Sequence, residues 1–135
     1  MTEIIFEANG LAQWAGMGNY RLIAPDRSHR IEIFYAGEPP HGDSYHRVEI
    51  DGRVFPGYAW GCLFAFSPCS RYAAFSWMAV LHERKTVVVD IEEHSYTVLP
   101  KYFHDFILRW PWLRGTDEQA ADACRVDRCT RWHPY

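Results

Sequence analysis

The adjacent residues His104 and Asp105 could supply a general base and the carboxylate that orients it, the chemistry of a small hydrolase or nucleotide-acting enzyme. Neighbours on an extended chain point apart, however, and no Ser or Cys stands beside the pair in a nucleophile elbow. Asp90-Ile91-Glu92 and Glu49-Ile50-Asp51 each set two carboxylates on one face of a strand, as metal-dependent nucleases often do. Solvent-facing strand ends show the same alternation, and that reading is preferred. Cys124, Cys129 and His133 could ligate zinc, but the chain has no C-x-x-C pair and the fourth ligand is unspecified. His41 and His46 flank a loop instead of sharing a helical face, and Gly16-Met17-Gly18 lacks the third glycine of a phosphate cradle. These patterns lead us to expect no metal, no cofactor and no enzymatic activity.

Residues suited to contact are easier to find. Asp90, Glu92, Glu93 and Asp105 face only Lys101 across residues 86–106, a local acidic excess that would steer the chain toward a basic cleft. Trp110 and Trp112 flank Pro111 and cannot both enter one core layer if the segment is extended, so one is expected to face outward. An exposed Trp beside Arg109 matches the aromatic and Arg enrichment of interface hot spots. The expected partner-binding set is therefore Asp90, Glu92, Glu93, Asp105, Arg109, Trp110 and Trp112. Arginines in residues 107–135 are mixed with acids and form no dense basic stripe, which disfavours nucleic acid.

With 135 residues, 48% of them hydrophobic, the chain is about one domain long and is read as a single domain over residues 1–135. The N-terminal MTEIIFEANG carries acids where an export signal needs positive charge, and no apolar run is long enough for a spanning helix. A cytoplasmic chain without membrane contact is expected, with Cys62, Cys69, Cys124 and Cys129 as free thiols. Aromatic residues make up 16% of it, which leaves an aromatic-rich ligand-binding module as a further alternative.

Apolar alternation and turn residues predict a mainly β fold with an antiparallel meander at its centre. Strands are expected at Tyr20 to Ala24, Arg30 to Tyr35, Tyr45 to Ile50, Arg53 to Phe55, Thr86 to Ile91 and Ser95 to Leu99. The Asp51-Gly52 pair between alternating runs is a hairpin signal, because both turn positions want positive φ. Residues 58–66 and 71–81 are apolar on both faces if extended, which suits strands covered on both sides. A helix over 72–81 remains open, but the Ser-Pro turn before it and the valine run after it favour strands. Residues 37–43 read as a long loop, 10–18 as a second loop, and the Arg131 to Tyr135 tail as fraying. Thr116-Asp117-Glu118-Gln119 has the form of a capping box and predicts one short C-terminal helix over 117–125.

The stretch FAFSPCSRYAAFS at 64–76, then Val87-Val88-Val89-Asp90, then Thr97-Val98-Leu99-Pro100, resembles one blade of a β-propeller. In such blades a Ser-Pro-Asp-Gly turn precedes an Arg/Lys-Tyr-x-Ala-Phe strand and a Val-Val-Asp strand follows; the resemblance covers residues 60–112. Cys69 and Ser70 stand where the blade prefers Asp and Gly, and the chain is too short for a closed propeller. In size, acidity and this meander the chain is similar to bacterial immunity proteins for secreted toxins. That resemblance implies a non-catalytic inhibitor that binds a cognate toxin domain and occludes its active site.

Overall fold

The computed structural model describes residues 1–38 and 44–135, and strands dominate it. In chain order they are β1 (Thr2–Ile5), β2 (Gln13–Trp14), β3 (Tyr20–Ile23), β4 (Arg30–Gly37), β5 (Tyr45–Ile50), β6 (Arg53–Phe66) and β7 (Tyr72–Met78). There follow β8 (Lys85–Asp90), β9 (Ser95–Val98), β10 (Phe106–Arg109), β11 (Trp112–Gly115), β12 (Ala123–Arg125) and β13 (Trp132–Pro134). A large sheet runs β1-β3-β4-β5-β6-β7-β8-β9-β13 with β2 added on β6, and a small sheet runs β10-β11-β12. From β3 to β9 each strand pairs antiparallel with the next in sequence, the predicted meander; β1 joins β3 in parallel. The loop expected over 37–43 lies, from residue 39 onward, outside the described residues.

Turn chemistry sets the register. Asp51 and Gly52 take φ of 50° and 80°, so the β5–β6 hairpin closes as expected. Ser67 closes the Ser-Pro turn: its carbonyl accepts from the Ser70 amide (2.9 Å) and its hydroxyl from the Tyr72 amide (3.1 Å). Ser70 takes the φ of 70° that a blade would give to glycine. Its hydroxyl accepts from the Asp26 amide (3.0 Å), which holds a side chain in this left-handed position.

Period-2 alternation then sorts β6, β7 and β8 onto two cores. Phe64, Phe66, Ala73, Phe75, Trp77, Val87, Val89 and Ile91 enter the core of the large sheet. Ala65, Tyr72, Ala74 and Val88 point the other way, against Phe106, Leu108 and Leu113 of the small sheet. All of β7 is buried, as its two-sided apolar pattern requires, and residues 72–78 are strand. Segments beside the two edge strands fold back over the first core: Phe6 meets Phe66 and Tyr135 meets Phe55, each pair with ring centroids 5.1 Å apart.

Three expectations are corrected. The helix over 117–125 does not form; Asp117–Gln119 is a single 3-10 turn and Ala123–Arg125 is strand β12. Gln119 supplies the reason, because its Oε1 accepts from the His104 amide (2.8 Å) and its Nε2 donates to the Tyr102 carbonyl (2.9 Å). The side chain that would have closed the capping box instead pins the segment leading into β10, and Thr116 makes no cap hydrogen bond. The tail is not frayed: β13 pairs with β9, and the Tyr135 amide donates to the His94 carbonyl (3.0 Å). Within the loop expected at 10–18, Gln13–Trp14 pairs with Phe64 and Leu63 as β2.

Candidate partner-binding surface

The small sheet turns Leu108, Leu113 and Phe106 inward, so alternation must turn its other side chains to solvent. Pairing aligns Arg109, Trp112 and Arg125 in one cross-strand row and Ile107, Arg114 and Ala123 in the next. Trp112 is consequently framed by cations: the Arg114 and Arg125 guanidiniums lie 5.0 Å and 5.5 Å from its ring centroid. Arg109 is held in place by donating from Nε to the Asn9 carbonyl (3.0 Å). Arg125 forms a two-bond ion pair with Asp127 (2.7 and 3.1 Å), and the Arg125 guanidinium holds that carboxyl below its ordinary value.

Trp110 goes the opposite way. Across a cis bond to Pro111 it stacks on Tyr72, with centroids 3.7 Å apart and planes 3° from parallel, and the Trp132 ring lies 6.5 Å from it, tilted by 55°. Trp110 thus packs against the second core while Trp112 lies on the outer face of the small sheet, and both are half-buried.

The acidic set does not gather into one edge. Asp90 is nearly buried and takes a bidentate pair with Arg71, both bonds 3.0 Å, while its Oδ1 also accepts from the Glu93 amide (3.3 Å). That hydrogen-bonded carboxylate raises Arg71 above its ordinary pKa. Asp90 is therefore tied into the β8–β9 turn by Arg71 and the Glu93 amide. Glu92 and Glu93 are exposed on that turn, Glu93 reaching to 4.0 Å from Arg71. Asp105 precedes β10 in the other sheet, where its Oδ1 accepts from the Phe106 amide (2.8 Å). Its side chain makes no hydrogen bond to His104, whose ring packs against Tyr102. The His104 and Asp105 dyad is absent.

Among the described residues, two grooves are of note. One of about 400 Å³ lies where β9 and Pro100 meet β12 and the following turn, and is lined by Cys124, Arg125, Arg128, Cys129 and Arg131. Burial, and a hydrogen bond between the two thiols, push the Cys124 thiol up to about 11, so it stays protonated near neutrality. His133, the third residue of the imagined zinc set, packs on the Tyr96 ring instead. Among the described residues no group of three His, Cys, Asp or Glu is placed to hold a metal ion. The other groove, about 730 Å³, opens where Pro56, Gly57 and Tyr58 bulge away from Arg47 of β5, and Phe34 and Val54 line it.

Sequence reasoning missed Arg114, which shares a face of β11 with Trp112, and Arg125, which meets Trp112 only through strand pairing. It also missed Trp14, which is 68% exposed on the two-residue β2, with Met17 and Leu11 exposed nearby. Among the described residues no helix is long and apolar enough to cross a membrane. No protein family, curated protein or solved structure matches this chain.

Proposed function

We propose that this chain is a non-enzymatic partner-binding inhibitor, an immunity protein that neutralises a cognate toxin domain in the bacterial cytoplasm by covering its active site. The row Arg109–Trp112–Arg125 carries the proposal. A tryptophan among guanidiniums on a solvent-facing sheet has the composition of an interface hot spot, and a sheet backed by a packed core holds it rigidly. Rigid presentation lowers the ordering cost of association, which is what a tight inhibitor needs. Exposed Glu92 and Glu93 stand apart from this row and act at the rim, on encounter rate more than on affinity.

Co-expression tests this directly. The product of a gene neighbouring that of this chain should arrest growth of a host cell, and co-expressing this chain should restore it. Trp112→Ala should abolish the rescue while leaving the protein folded. Rescue that survives Trp112→Ala together with Arg109→Ala would show that the inhibitory surface lies elsewhere.

A further inference from the structure

We infer that the partner offers this surface an acidic, extended segment, whose carboxylates are taken by the arginines of the small sheet and of the groove beside it. The inference rests on the partner-binding reading and adds the chemistry of the partner. It starts from a local imbalance: the chain as a whole has a formal charge of −3, yet Arg109, Arg114, Arg125, Arg128 and Arg131 lie along one sheet face and its adjoining groove. Within this group the structure pairs one carboxylate, Asp127, with Arg125. Arg109, Arg114, Arg128 and Arg131 have no ion-pair partner among the described residues.

Geometry suits an extended peptide. Adjacent strands lie about 4.8 Å apart, so Arg109 and Arg125 are separated by about 10 Å across the row, with Trp112 between them. Carboxylates of an extended chain, whose alternate side chains lie on one face about 6.7 Å apart, would be within reach of the long Arg109 and Arg114 side chains beside the indole, since the Arg125 fork is taken by Asp127. The walk continues from Arg125 into the groove that Arg128 and Arg131 line. Guanidinium forks bind carboxylates in bidentate fashion, which gives the contact orientation as well as charge.

Single-stranded nucleic acid fits this face less well. A stacking platform needs an open aromatic face, and guanidiniums already stand over the Trp112 ring at 5.0 and 5.5 Å.

The test titrates the full chain, following tryptophan fluorescence and heat, with three probes: an eight-residue Glu-rich peptide with one central Leu, its Lys counterpart, and a twelve-residue oligothymidylate. The Glu peptide should bind at low salt, weaken several-fold as salt rises to 0.3 M, and lose binding in the Arg128→Glu/Arg131→Glu variant. Both arginines are exposed, so the variant should keep the near-ultraviolet circular dichroism of the parent. The inference is overturned by oligothymidylate binding as tightly as the Glu peptide, by Lys-peptide binding of equal strength, or by no response to the Glu peptide. Peptide binding without rescue in the co-expression assay would retain the acidic-segment inference and remove the toxin-inhibitor reading. Rescue without peptide binding would do the reverse.

Discussion

Strands β7 and β8 and the outer sheet β10–β12 are both short antiparallel elements, but their side chains have opposite employment. In β7 both faces are covered, so Phe75 serves one core while Tyr72 and Ala74 serve the other, and nothing is left to meet a partner. In β11 alternation divides the strand, Leu113 inward and Trp112 with Arg114 outward. The pair Trp110 and Trp112, both half-buried, condenses the difference: one stacks on Tyr72 against the second core and one is framed by arginines on the outer face of the small sheet. Burial on both faces makes a strand architectural, and burial on one face leaves it free to recognise.

The division predicts that stability and binding can be broken separately. Phe75→Ala, at a fully buried position, should lower unfolding free energy by about 3–5 kcal/mol in urea titration. Trp112→Ala should instead weaken the complex by about 2 kcal/mol or more in calorimetry with the partner and shift the urea midpoint little. If Trp112→Ala unfolds the protein as Phe75→Ala does, the distinction between the two sheets collapses. Asp90→Asn, chosen in the sequence as a contact residue, should behave as a core change, losing about 1–2 kcal/mol of stability with affinity unaffected once the protein is folded.

His46 sharpens the comparison through pH. It is fully buried, its Nε2 lies 3.0 Å from the Gly18 carbonyl, and its Nδ1 has no partner, so the ring is neutral with the proton on Nε2. Burial lowers its pKa, an effect that the carbonyls of Gly18, Met17 and Gly61 offset only in part. Below about pH 6.5, the ordinary value, the unfolded chain binds a proton that the folded chain refuses, so stability should fall as pH drops through and below that point. His46→Asn should flatten this dependence in denaturation curves recorded from pH 7.5 to 5. Smallest of all, Glu92→Gln with Glu93→Gln should leave stability within about 0.5 kcal/mol. Their effect belongs in the association rate, read at low salt by stopped-flow mixing with the partner.

The legible parts of the fold are those encoded between near neighbours. Asp51-Gly52 announces its hairpin because the required φ values belong to those two residues, and Val87-Val88-Val89 announces its strand through χ1 stiffness. The 117–125 helix was misread because Thr116 and Gln119 carry a local signal that a distant need overrides: the free backbone groups at Tyr102 and His104 claim the Gln119 amide. The same holds for Asp90, a charged residue expected at the surface but claimed by Arg71 in the turn just before β7.

The amino-acid order alone determined the alternating strands and the tight turns, since each follows from the conformational limits of residues a few positions apart. Tertiary structure alone decided that Trp110 packs against the second core and which arginines surround Trp112. Those contacts join Trp112 to Arg125 across strand pairing and Tyr72 to Trp110 across two sheets. Such pairings are set by how two cores close over one another, and no local window of sequence contains that information.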